Sequence, residues 1–204
     1  MANTLAPNGF ALAGFLDGRS GSLGQSQYTI TSGYTSNIYS NDPVTLSSGT
    51  VQVATSGSSA ILGIFIGCEY YSSAVGRVIW SPYWPASTSV PTGSVIYAWV
   101  ITDPQATFKV QTANSNTTAS AAAISNINSN FGFSGAGTTG AAPTSQALNG
   151  QSVAYLDLYQ TGANYPFRLM SLVTAPPGAN GTDTTTAYNS VIVAFNNQTL
   201  RAIS

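Results

Sequence analysis

Histidine is absent from this chain, cysteine occurs once, and charge is scarce. Five basic and six acidic side chains make up 5 % of the 204 residues, against roughly 25 % in an ordinary soluble domain. Neutral polar groups have taken their place. Ser, Thr, Asn and Gln together number 75, while the hydrophobic share stays ordinary at 43 %.

Each absence excludes something. Without histidine there is no histidine triad and no histidine-ligated metal. A single cysteine, Cys68, forms no internal disulfide and no Cys-cluster zinc site. Scattered Lys and Arg do not release counterions from a phosphate backbone, so nucleic acid is not an expected partner. No apolar run approaches the roughly 20 residues of a membrane helix, so no membrane partner is expected. No basic residue precedes the apolar stretch Phe10 to Leu16, which is not the pattern of a signal peptide.

Catalytic constellations are equally hard to find. A glycosidase needs two carboxyl groups facing each other across about 5–9.5 Å, and no acid pair lies close in sequence. Asp42 and Asp103 both precede proline, where aspartate starts turns by bonding its own backbone. Asp157, within Leu156-Asp157-Leu158, falls on a polar strand face by alternation. Cys68 ends an apolar run and has Glu69 beside it, which opposes a thiolate; it reads as buried and structural. Lys109 is the only lysine, on a strand face, with no Ser-x-x-Lys or Gly-x-Ser-x-Gly pattern to recruit it. The Gly-rich stretch 132–143 lacks the Lys-Ser/Thr end of a phosphate loop and reads as a plain loop. No enzyme activity, cofactor or metal is expected.

What is present is β-structure. Residues 28–111 carry short runs rich in Val, Ile, Thr and Tyr at roughly ten-residue spacing. Tyr28–Thr31, Val44–Leu46, Val51–Thr55, Ile61–Cys68, Arg77–Trp80, Ser94–Ile101 and Phe108–Gln111 are predicted strands. Gly63 and Gly67 inside an apolar run predict a bulge or a close backbone approach. Val95, Tyr97, Trp99 and Ile101 share one face of their strand by period-two alternation. Val153–Tyr159, Phe167–Val173 and Val191–Phe195 follow later, after one short helix near 118–128 capped by Thr117 or Thr118. The expected fold is all-β, a barrel or sandwich of short antiparallel strands. Residues 1–27 read as an extended N-terminal arm with apolar anchors, and 28–204 as the β-domain, with a subdivision near 112–120 as one option.

Low charge leaves a β-protein with exposed edges and few gatekeepers against association. Occupied edges in an assembly resolve that. Several fragments then carry a resemblance: Leu5-Ala6-Pro7-Asn8-Gly9-Phe10, Asn37 to Val44, Leu62 to Tyr70, Tyr83-Trp84-Pro85, Tyr97 to Pro104 and Phe108 to Gln111. In order and spacing they resemble the decoration (cement) proteins of tailed-bacteriophage capsids. The resemblance implies a virion protein on the capsid exterior that forms homotrimers, binds the major capsid protein and clamps neighbouring capsomers. It brings no catalytic residues. Relatives tend to carry a basic residue soon after the Gly-Phe, where Ala11-Leu12-Ala13 stands here, so an apolar contact through Phe10 and Leu12 has to replace a salt bridge. Leu5, Pro7, Phe10, Leu12, Phe15, Tyr83 and Trp84 are the expected interface residues. Trp80 is assigned to the core. Removing residues 1–16 is expected to weaken attachment and leave the β-region folded. A second reading from another class is a carbohydrate-binding module or an adhesin of a phage tail or fibre, using exposed aromatics or the loops 132–149 and 174–190.

Overall fold

The computed structural model describes residues 2–18, 24–116, 120–137, 150–176 and 181–201. These residues are almost entirely strand and loop. The expected Thr117 and Thr118 caps and much of the loops at 132–149 and 174–190 lie outside the described residues.

Two sheets form. In the first, β8 (Ala106–Ala113), β9 (Asn130–Ser134), β10 (Tyr155–Thr161), β11 (Phe167–Leu172) and β12 (Ser190–Phe195) close into a five-stranded barrel. Closure follows because β12 pairs back onto β8, with Val191 opposite Val110 and Val193 opposite Phe108. β1 (Ala11–Phe15) adds to the same sheet along β8. The β8–β10 pair is parallel, while the other barrel pairs are antiparallel. The second sheet runs β2 (Gln25–Tyr28), β7 (Tyr97–Ile101), β5 (Gly63–Ser72), β3 (Pro43–Ser47), β4 (Thr50–Val53), with β6 (Arg77–Ser81) on the far end of β5. The all-β expectation holds.

Two cores explain the strand patterns. Along β8, Phe108 and Val110 point into the barrel and Lys109 points out, as the period-two alternation predicts. Phe131, Phe133, Leu156, Phe167, Leu169, Val191 and Val193 fill the rest of the barrel. Ile61, Ile64 and Ile101 from the second sheet join this core. The other face of that sheet packs Val44, Phe65, Cys68, Tyr70, Ala98 and Val100 against Ile38 and Trp84. As far as Cys68, β5 is therefore covered on both faces, which is why it reads there as an unbroken apolar run. A Cβ at Gly63 would sit 2.1 Å from the Ile101 carbonyl oxygen, and the register slips between Phe65 and Gly67. Both the predicted close approach and the predicted bulge are present.

Several expectations are revised. The short helix near 118–128 is a single 3-10 turn, Ile124–Asn126. The plain loop read from Gly132 begins inside β9, whose Phe131 and Phe133 alternate with glycine and fill the barrel. The first strand of the second sheet ends at Tyr28 rather than beginning there. Asp157 is fully buried, because β10 is covered on both sides at that point. The possible break near 112–120 does not separate two cores, since β8 closes the barrel with strands from beyond it.

The described N-terminal residues, 2–18 and 24–27, are woven into both sheets. Phe10 is fully buried inside the barrel, stacked on Phe167 with ring centroids 4.1 Å apart. Gly9 makes this entry possible. Its φ is +64°, and a Cβ there would sit 2.5 Å from the Asn41 carbonyl oxygen and 2.6 Å from the Ser152 Cβ. The expectation that residues 1–16 are dispensable for folding therefore reverses. Phe10→Ala should destabilise by about 3–5 kcal/mol, and deletion of residues 1–16 by more. Urea titration monitored by circular dichroism checks this. An unchanged midpoint in either variant would show that the strap is not core.

Candidate functional site

The strap from Asn3 to Phe15 follows β8 from one end to the other. Asn3 is clipped into the 181–187 loop: its amide donates to the carbonyls of Asp183, Thr186 and Ala187, and its Oδ1 accepts from Gly181 N–H. Gln111 on β8 then holds the chain, accepting from Ala6 N–H and donating to Thr4 and Tyr188 carbonyls. Residues 7–10 bulge away, where Phe10 N–H bonds the Asn41 carbonyl and Phe10 enters the barrel. Ala11 to Phe15 return as β1. A shallow groove of about 290 Å³ is left between strap and β8, lined by Thr4, Ala6, Ala11, Lys109 and Gln111.

The expected interface residues divide on this geometry. Leu5 and Leu12 are exposed, at 37 % and 36 %, and Leu16 is more so at 51 %. Pro7, Phe10 and Phe15 are buried and present nothing to a partner. Trp84 is fully buried, edge-on to Tyr70, and Tyr83 is half-buried against Tyr39. Trp80, assigned to the core, is instead 51 % exposed. The two tryptophans exchange roles because residues 82–86 fold back: Trp84 and Ile38 exchange backbone hydrogen bonds, which turns the Trp84 ring inward.

The titratable groups hold the fold together. Asp42 is fully buried and accepts from Tyr39 N–H at 2.8 Å, Gly137 N–H at 3.1 Å and the Ser152 hydroxyl. It links the turn before β3 to segments beyond β9. The turn role read from the sequence is present, since Tyr39 lies three residues back, but the longer reach to 137 and 152 had no local signal. Asp157 accepts from Ser115 N–H, Tyr159 N–H, the Ser134 hydroxyl and the Gln160 amide. Asp103 accepts from Gln105 N–H, the expected turn bond. Burial pushes the Cys68 thiol up to about 12, so it packs as a small apolar group. Among the described residues no cluster of acids and cysteine is arranged to hold a metal ion.

A second open surface had only half a signal in the sequence. On the second sheet, Glu69 stands directly opposite Trp80 on one side and Tyr97 on the other. Tyr71 opposite Val78, and Gly67 opposite Trp99, extend the same face. Farther along it, Ile64 and Ile101 are buried against the barrel core. The sheet thus overhangs the barrel: one end of the face is covered and the other is open. Trp80 and Tyr97 are 51 % and 40 % exposed, with Val78 and Val95 nearby at 62 % and 55 %. The alternation of Val95, Tyr97, Trp99 and Ile101 was legible; where the barrel stops was not.

Compared with known proteins, the chain matches no family model, no curated protein and no solved structure.

Burial pushes the Asp42 carboxyl up to about 7, against the opposing pull of the hydrogen bonds from Ser152, Tyr39 and Gly137. The folded state therefore binds a proton more tightly than the unfolded chain, whose carboxyl titrates near 3.8. Stability from this site is full below that lower value and falls as pH rises towards about 7. The melting temperature should drop between pH 5 and pH 8, and Asp42→Asn should flatten that drop while lowering the curve. Scanning calorimetry across this range checks it; a wild-type melt that rises towards pH 8 would contradict the assignment.

Proposed function

We propose that the protein is a structural virion component, a decoration (cement) protein that binds the outer surface of a tailed-phage capsid and stabilises the shell by bridging coat subunits. The observation that carries this reading is the strap. It offers exposed Leu5, Leu12 and Leu16, and among the described residues β1 pairs with β8 alone, at the margin of a barrel that otherwise closes. An open edge with apolar side chains beside it accepts a strand from another chain. The resemblance in residues 5–111 points the same way.

The partners are the major capsid protein and further copies of this chain, as a homotrimer. Several weak contacts then combine through effective concentration, so no single one has to be strong. The contacts are apolar packing and backbone hydrogen bonds, because among the described residues the strap has only Lys109 beside it as a cation. Such binding changes little with salt. The carbohydrate-binding reading uses a different surface, the open end of the second sheet.

The test adds purified protein back to capsids that lack it. Occupancy should persist from low to high salt. The triple variant Leu5→Ser, Leu12→Ser, Leu16→Ser should keep its melting temperature to within a few degrees and lose about tenfold or more in capsid affinity. Peptide mass spectrometry of intact particles should give a copy number comparable to the coat protein. Loss of wild-type binding on raising salt, or only a handful of copies per particle, would overturn the proposal.

A further inference from the structure

The open end of the second sheet combines two flat aromatic side chains with one carboxylate that no described residue satisfies. Trp80, Glu69 and Tyr97 form a single row across three adjacent strands, β6, β5 and β7. Adjacent strands lie about 4.8 Å apart, so the two ring-bearing positions are separated by roughly 10 Å, a span that fits a short saccharide chain. The Glu69 carboxylate, half-buried between them, has no hydrogen-bond or ion-pair partner among the described residues.

Gly67 sets the posture of the larger ring. A Cβ at Gly67 would lie 2.5 Å from Trp80 Cζ2 and 2.8 Å from its Cη2. The benzo half of the indole therefore lies down over the glycine, in the space that a side chain would take. One face of the ring rests on the sheet, and the other faces solvent. A ring held this way is a stacking platform. The C–H faces of a pyranose pack on such a surface, and its hydroxyls project sideways towards acceptors.

The charge pattern narrows the ligand. Glu69 is the one charged side chain of the row, and among the described residues no cation balances it on this face. Arg77 stands opposite Ser72, out of step with Trp80 and Val78 along β6 and so on the other face of the sheet. A uronic acid, a sialylated glycan or a phosphate would meet an unpaired carboxylate and no counter-charge. An apolar protein surface would bury that carboxylate without a donor, which is costly. A neutral sugar supplies hydroxyl donors and an apolar face together. We propose that Trp80, Tyr97 and Glu69 form a binding site for a neutral oligosaccharide, with the rings stacking on sugar faces and the carboxylate accepting hydroxyl hydrogens. The site lies on the sheet that does not carry the strap, and the proposal stands whether or not the strap holds a shell.

The experiment screens the full-length protein against an array of neutral and acidic oligosaccharides, then follows the best neutral binder by calorimetry and tryptophan fluorescence. Binding to neutral glycans is expected, with a change in emission from the exposed Trp80. Trp80→Ala and Tyr97→Ala should each weaken it about tenfold, and Glu69→Ala by a similar factor. Trp80→Phe should retain part of the affinity, and Gly67→Ala should lose it by lifting the indole. Leu12→Ser should bind as wild type. Melting temperatures of the three alanine variants should stay near wild type, because these side chains are exposed or half-exposed. Binding to acidic glycans alone would overturn the proposal, as would no binding to any neutral glycan at millimolar concentration. Dissociation of an oligomer by Trp80→Ala without a glycan effect would assign the face to self-contact instead, and would also overturn it.

Discussion

The stack of Phe10 on Phe167 is the contact on which the arrangement of the whole chain depends. A five-stranded barrel of this size needs its interior filled, and its own strands supply Phe108, Phe131, Phe133 and Phe167. Phe10 completes the set from outside the barrel sequence, lying flat on Phe167 and edge-on to Phe133. For Phe10 to reach the interior, the preceding residue must pass within contact of Asn41 and Ser152, which only glycine allows there. Asn41 and Ser152 are in turn fixed by Asp42, which binds Ser152 directly and follows Asn41 in the chain. One aromatic contact thus imposes the Gly9 turn, the Asp42 cluster and the seam between the two sheets. The strap becomes a structural member of the barrel.

The scarcity of charge shapes how the loops are held. Among the described residues, amide and hydroxyl side chains act as fixed clips. Asn189 is the clearest case. It is fully buried, accepts from the Thr112 hydroxyl and Ala122 N–H, and donates to the Ala122 carbonyl. Asn196 donates to the carbonyls of Ala163 and Tyr165, and Arg168 spans Asn130 and Asn196. Neutral clips of this kind give about 1 kcal/mol each and are hardly touched by salt. They also leave few polar atoms unmet: among the described residues, Gln160 Oε1 is the buried side-chain atom without a partner. The high Asn, Gln, Ser and Thr content is therefore structural, and it leaves the surface short of the charges that keep chains apart.

Sequence reasoning recovered what local patterns encode. Nine of the ten predicted strands overlap observed ones, because alternation and β-branched runs report on a strand's own two faces; Tyr28–Thr31 only touches β2 at Tyr28. The close approach at Gly63 was legible for the same reason. β9 was missed because Asn-Phe-Gly-Phe-Ser sits in a stretch whose glycines read as loop, and only barrel closure buries both phenylalanines. The exchange between Trp80 and Trp84 was illegible, since a Pro-Tyr-Trp-Pro turn does not say which way it folds. Phe10 and Phe15 read as anchors, and anchors they are, but to their own barrel. Asp157 misled for a simple reason: alternation marks the face opposite the core, and here that face is covered by the 115 turn and Gln160.

The two open surfaces differ in a way that follows from how each sheet ends. Among the described residues the barrel has no free edge of its own, so the margin of its sheet is β1, where backbone groups are the chemistry available. The second sheet is open in another sense. Its β5 and β6 run on past the point where the barrel covers them, so what it exposes is a face, and side chains are the chemistry available there. An edge recognises a strand with little regard for sequence. A face with two rings around a carboxylate discriminates by shape and charge. Among the described residues the edge lies beside leucines and Lys109, and the face has no cation, so one partner cannot satisfy both with the same groups. A chain this poor in charge thus carries, among the described residues, an edge and a face whose available chemistries differ.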